Sequence, residues 1–273
     1  MKKISYRKLL VLFVWILTLS SLFISLGFVA STEDHTIINK VNVDVSDDTE
    51  MAFLANEDVR QYLDESGRHM IGELYQETDI PAIEQLLNAH PAIENAEVSR
   101  NLAGEVNIAV KQRTPIVRVI NRSGESYYID NRGLLMPLSD NFTARVIVAS
   151  GEIFEPYARR YQYSIDQIRS SKVFSEISQL DDVYDVVNYI TADSSLTALI
   201  QQVQVNKEGD LELYPAIGDQ KIIFGNGQNI AEKFNRLKLF YTEGLSKADA
   251  WNKYSIINLK YQKQVVCTKR KHL

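Results

Sequence analysis

The chain has 273 residues, 45% hydrophobic and 24% charged, with 30 Lys/Arg against 35 Asp/Glu and a formal charge of −5. Such a composition folds into one or two domains with real cores and excludes a disordered, low-complexity chain. The acidic balance argues against a nucleic-acid binder, and the single cysteine, Cys267, excludes an intrachain disulfide.

Lys2, Lys3, Arg7 and Lys8 precede an uncharged apolar run from Leu9 to Val29, and Glu33 and Asp34 follow it. As a helix, residues 9–29 would reach about 31 Å, enough to cross a hydrocarbon core of about 30 Å. A cleavable signal peptide is the alternative, but its apolar region spans about 7–15 residues, and Phe28 sits at −3 for a cut after Ala30. Ser25-Leu26-Gly27 leaves a small-residue site. The expectation is a retained anchor over 9–29, with residues 1–8 cytoplasmic and the domains beyond residue 30 outside.

A linker over 30–37 leads to Val41, Val43 and Val45 alternating with Asn42 and Asp44, the period of a half-buried strand. Helical spacing follows over 54–63. A second helix is marked by Thr78 or Asp79 as cap, Pro81 in its first turn, an apolar face of Ile83, Leu86 and Leu87, and Pro91 beyond its end. Glu97–Arg100 and Val106–Val110 flank a turn at Gly104, a hairpin. Strand, helix, helix, strand, strand fits one small sheet with both helices on one face.

Pro115 restarts the chain. "PIVRVI" and "ESYYID" frame Asn121-Arg122-Ser123-Gly124 as a hairpin, Asp130–Gly133 makes the next turn, and "ARVIVASG" adds a strand. Residues 156–200 read as mostly helical. Val203–Val205, the turn Lys207–Asp210, Leu211–Leu213 and "KIIFGN" return to strands. A helix over 229–242 then buries Ile230, Phe234, Leu237 and Phe240 or Tyr241. Residues 254–269 read as a ribbon with Ile257, Leu259, Tyr261, Val265 and Cys267 at every second position, and Lys263 breaks the apolar run.

Catalytic and metal-binding patterns are missing from the sequence. The four histidines lie far apart and form no H-E-x-x-H. Asp44, Ser46 and Asp48 start like a calcium loop, but Thr49 stands where the glycine belongs and Ala55 where the bidentate glutamate belongs. Gly225-Asn226-Gly227 lacks the lysine and glycine spacing of a phosphate loop and reads as turn chemistry. No cofactor is expected.

Several short motifs together resemble the FtsQ/DivIB family of bacterial cell-division proteins. Pro91-x-Ile93-x-x-Ala96-x-Val98-x-Arg100, then Val106-x-Ile108-x-Val110-x-x-Arg113-x-Pro115, is similar to the second half of that family's POTRA domain and its exit. Tyr128-Ile129-Asp130-x-x-Gly133 resembles the hairpin entering its β-domain, and Ile256–Tyr261 resembles its strand near the C-terminus. Many members carry a glycine after the first POTRA strand, where this chain has Ser46-Asp47-Asp48.

The resemblance implies an α+β architecture: an N-terminal transmembrane helix, a POTRA domain (β-α-α-β-β) over 38–114, a mixed β-domain with helices packed on its sheet over 115–268, and a basic tail over 269–273. It implies a non-enzymatic, single-pass type II protein of the cell membrane at the division septum. Its partners would be FtsB (DivIC) and FtsL homologues, with FtsK, FtsW and FtsI as further candidates.

A last strand at a sheet edge offers unpaired N–H and C=O groups to an extended segment. An inward-pointing lysine blunts such an edge, and its stem can pack while the ammonium reaches an acidic partner residue. The expected partner-binding edge is therefore Leu259, Lys260, Tyr261, Lys263, Gln264, Val265 and Cys267. The match to the family strand makes Tyr261 the anchor, with Lys260, Lys263 and Gln264 as polar flanks. The plain alternative is that Tyr261 is core and the ribbon merely ties down the terminus. Cys267 reads as a small inward residue without a redox role, and Arg113 as a domain-junction residue. A POTRA chaperone of outer-membrane assembly or secretion is the competing reading, and an anchored cell-wall enzyme the third.

Overall fold

The computed structural model describes residues 6–33, 36–46, 53–101, 103–139, 142–155, 164–171, 178–247 and 249–270. The chain divides into two compact units, one of residues 1–46 and 54–111, the other of 47–53 and 112–273.

Helix α1 (Tyr6–Glu33) opens the first unit. From Leu10 to Ile24 its large apolar side chains are all about half exposed or more, on every side of the helix. Among the described residues no helix is long and apolar enough to cross a membrane. The side chains described beyond Tyr6 run only from Leu10 to Ile24, about 22 Å of helix against a core of about 30 Å. The anchor expected over 9–29 thus extends past the described side chains.

Strand β1 (Lys40–Ser46), helices α2 (Asn56–Glu65) and α3 (Ile80–Asn88), and the strands β2 (Ile93–Arg100) and β3 (Glu105–Gln112) complete the unit. The sheet order is β1-β3-β2, with β1 parallel to β3 and Val43 opposite Ile108. A parallel partner needs a crossover, which the two helices supply. Val59 and Leu63 of α2 and Ile83 and Leu87 of α3 pack on Ile93, Ala96, Val106 and Ile108. The Asp79 carboxylate caps α3 by accepting from the Ala82 amide at 3.1 Å, with Pro81 in the first turn. Gly104 adopts φ +81° in the β2–β3 turn, where a Cβ would lie 2.6 Å from the Ile37 carbonyl oxygen.

The second unit is built on a nine-stranded mixed sheet. Its elements in chain order are β4 (Pro115–Ile120), β5 (Ser126–Asp130), β6 (Leu135–Met136), β7 (Ile147–Gly151), α4 (Ile165–Ser170), α5 (Leu180–Thr191), α6 (Ser194–Leu199), β8 (Ile200–Val205), β9 (Leu211–Pro215), β10 (Lys221–Gly225), α7 (Ile230–Leu239), a π-helical segment (Phe240–Ser246), β11 (Tyr254–Asn258) and β12 (Val266–Lys269). The spatial order is β12-β11-β10-β9-β8-β7-β4-β5-β6.

Strand β7 is parallel to both β4 and β8, and β10 is parallel to β11. Residues 152–199 therefore carry the crossover from β7 to β8, and α7 lies on the crossover from β10 to β11. Val183, Val186 and Ile190 of α5 and Phe234 and Leu237 of α7 share a core with Val117, Val203, Leu213, Phe224 and Ile257. The alternate residues of β8 and β9, with Lys221 of β10, are polar and bond one another. Lys221 Nζ lies 3.0 Å from Glu212 Oε1, and the Tyr214 hydroxyl donates to Gln204 Oε1 at 3.0 Å. Over β8 and β9 one face is thus covered by helices and the other is polar, whereas at the β5–β6 end Phe53, Tyr128, Met136 and Ala144 form a second, smaller apolar cluster.

Candidate functional site: the open edge of the large sheet

Residues 254–269, expected as one ribbon, form a hairpin instead. Strand β11 ends at Asn258, the chain turns over 259–265, and β12 returns antiparallel, with Asn258 opposite Val266 and Ile256 opposite Thr268. Strand β11 lies between β10 and β12, so β12 is the outermost strand.

The direction of the edge groups follows from alternation. The Leu259 amide donates to the Ile223 carbonyl of β10 at 2.9 Å, so residue 259 faces β10 and residues 258 and 256 face β12. Their partners Val266 and Thr268 face inward. The Arg270 amide continues that side by donating to the Lys253 carbonyl at 2.9 Å. The main-chain N–H and C=O groups of Cys267 and Lys269 consequently point away from the sheet.

Three of the expected contact residues turn inward. Leu259 is fully buried, while Val265 and Cys267 are half-buried against the core. Their side chains support the hairpin. Burial also pushes the Cys267 thiol pKa up, which keeps the sulfur protonated and unreactive.

Lys260, Tyr261, Lys263 and Gln264 lie in the turn and are exposed. Tyr261 is 52% exposed, so the alternative that it is core fails. Lys263 does not interrupt an apolar strand face, as the spacing suggested. It sits at φ +59° in the turn, a left-handed position that costs a non-glycine residue about 1 kcal/mol. The Lys260 amide donates to Asn258 Oδ1 at 2.9 Å, and its ammonium bonds Asp210 Oδ2. That carboxylate holds the Lys260 pKa above the ordinary lysine value.

Arg236, not singled out by its sequence context, organises this turn. Its guanidinium donates to three carbonyls, those of Leu259 at 3.1 Å, Gln264 at 2.6 Å and Tyr261. The rigid fork of an arginine suits converging acceptors. The residue sits between Phe234 and Leu237 on α7, so the helix that packs on the sheet also grips the hairpin. Nothing in the local pattern marks it, because its acceptors are main-chain atoms 23–28 residues away.

Other residues singled out from the sequence have structural roles. Asp130 is 1% exposed. Its Oδ1 accepts from the amides of Arg132 (2.9 Å) and Leu134 (2.7 Å), and its Oδ2 from Arg113 Nη1 at 3.0 Å. The Tyr-Ile-Asp motif thus closes a turn, and Arg113 pairs with it. The Gly225–Gly227 turn is filled from within by Lys233, 6% exposed, whose Nζ donates to the Asn226 carbonyl at 2.8 Å and lies over the Phe224 ring. Desolvation by burial lowers the Lys233 pKa. Among the described residues no group of three or more His, Cys, Asp or Glu side chains could hold a metal ion. Asp48 of the suspected calcium loop lies outside the described residues.

Two comparisons with known families bear on this geometry. A POTRA-like domain matches residues 36–111. The description "FtsQ/DivIB, C-terminal related" matches residues 114–268, more than half of the chain, including the hairpin up to Thr268. The chain belongs to the FtsQ/DivIB family. No curated protein matches the chain. Membership makes it a division-related scaffold protein, and FtsQ/DivIB proteins are membrane proteins of the division site.

Proposed function

We propose that this FtsQ/DivIB-family chain is a non-enzymatic divisome scaffold that holds an extended partner segment along β12 by strand addition. The observation that carries this is the orientation of the Cys267 and Lys269 main-chain groups, which leaves donors and acceptors for one more strand. Tyr261 beside that edge offers a large, nearly rigid contact with a polar tip. Lys260, Lys263 and Gln264 supply polar contacts around it, while Leu259, Val265 and Cys267 hold the edge in place. The partners are FtsB (DivIC)- and FtsL-type proteins, and the assembly links earlier division proteins such as FtsK to the septal wall synthesis of FtsW and FtsI. No cofactor takes part.

The same reading makes the protein single-pass and type II, with residues 1–8 cytoplasmic, 9–29 spanning, a POTRA domain over 38–114 and a β-domain over 115–268 outside. Two observations support an anchor: the uncharged run from Leu9 to Val29 after four basic residues, and the large apolar side chains of α1 from Leu10 to Ile24, exposed on every side. A helix of that kind requires non-aqueous cover.

A pair of proline substitutions tests strand addition in the full-length chain. Lys269→Pro removes an N–H that faces away from the sheet and is expected to fold normally while losing capture of an FtsB-type segment. Thr268→Pro removes an N–H that faces β11 and is expected to destabilise the hairpin itself. Wild-type capture by a folded Lys269→Pro protein refutes the edge as the docking site.

A further inference from the structure

The corner where the chain enters the first unit carries features that neither the core nor the sheet edge explains. Ile37 and Leu74 face each other across an isolated antiparallel bridge, and the Gly72 amide donates to the Ile38 carbonyl at 2.8 Å. This fixes the 71–75 loop against the entering chain. Ile37, Ile71 and Leu74 are all exposed, Ile71 at 68%. Beside them a cavity of about 490 Å³ is lined by Lys40, Arg60, Arg68 and His69, with Asp64 as its one carboxylate. His69 Nδ1 lies 3.1 Å from Asp64 Oδ1, and Arg60 lies 3.6 Å from Glu57. In the lining itself Lys40, Arg60 and Arg68 outnumber Asp64, while Glu73 is exposed on the loop between Ile71 and Leu74.

We propose that this corner docks on the surface of an anionic lipid bilayer, Ile71, Ile37 and Leu74 entering the interface and Lys40 and Arg68 meeting lipid phosphates. Exposed apolar side chains beside a cavity rich in bases are the chemistry of interfacial attachment. The inference rests on the anchor reading: residues 30–37, even fully extended, hold Ile37 within about 29 Å of the end of the apolar run. An extended peptide on β1 fits less well, because α2 already occupies that edge. Arg60 Nη2 donates to the Val41 carbonyl at 3.4 Å, and Asn56 Oδ1 accepts from the Val45 amide at 3.1 Å.

Photocrosslinking of the full-length chain in vesicles containing phosphatidylglycerol tests the proposal. Benzoylphenylalanine replaces Ile71 in one protein and Glu97, an exposed residue of β2, in the other. A lipid adduct at 71 and none at 97 is expected. Lys40→Glu with Arg68→Glu should reduce that adduct by about tenfold or more, as should vesicles of neutral lipid. No lipid adduct at 71, an equal one at 97, or a protein adduct at 71 overturns the proposal. Carbonate extraction separates the two readings: a chain that resists extraction without a lipid adduct refutes docking alone, whereas an extracted chain refutes the anchor and docking with it.

Discussion

Replacing Arg236 by alanine isolates what holds the edge hairpin in shape. The side chain donates to two carbonyls in exposed surroundings, Tyr261 and Gln264, and one in partly buried surroundings, Leu259. Counting about 0.5 kcal/mol for each exposed bond and about 1.5 kcal/mol for the partly buried one gives about 2.5 kcal/mol. The Glu232 carboxylate, 3.9 Å from the guanidinium, adds little at that distance. These bonds are broken in every opening that frees the hairpin, local or global, so each such opening becomes easier by that amount. Hydrogen exchange of amides in 254–270 should therefore speed up about 60-fold, since about 1.4 kcal/mol is a factor of ten. Amides of β8 and β9 that exchange by global unfolding should speed up by no more than that factor, and partner dissociation should accelerate because the edge is no longer preorganised. Unchanged exchange over 254–270 refutes the assignment of Arg236 as the clamp.

Tyr261→Ala should leave the fold intact, since the ring is half exposed, and weaken binding of an FtsB-type segment by about 2 kcal/mol; wild-type affinity by calorimetry removes Tyr261 from the site. Asp130→Asn uncouples Arg113 from a carboxylate that is 1% exposed and should cost about 3 kcal/mol in denaturant unfolding. A loss under about 1 kcal/mol shows the pair to be solvated. Lys233 gives a pH signature. Burial lowers its folded pKa, so in the window below the ordinary lysine value of about 10.4 the unfolded chain binds more protons and stability rises with pH. Lys233→Met should remove that rise relative to wild type in urea titrations across the alkaline range; parallel pH curves refute it.

The period and punctuation of the chain were enough to mark the βααββ unit, the hairpin at Asn121–Gly124 and the helix carrying Phe234 and Leu237. Alternation and helical spacing come from which side chains must leave water, a property of neighbours in sequence. The sheet order was not legible. Pairing β7 with both β4 and β8 joins distant segments through main-chain bonds that any residue can form, so nothing local names the partner. The terminal hairpin is the instructive miss. Alternating Ile257, Leu259, Tyr261, Val265 and Cys267 suggested a continuous ribbon, and Lys263 an edge guard. In the fold, Arg236 gathers the carbonyls of 259–264 from an adjacent helix and stabilises a turn that puts Lys263 in left-handed geometry and Tyr261 into solvent. Sequence by itself determined which faces are apolar and where the chain can bend; only the tertiary structure decided which strand ends outermost, because an edge is defined by the absence of a neighbour, and that is a fact about the whole sheet.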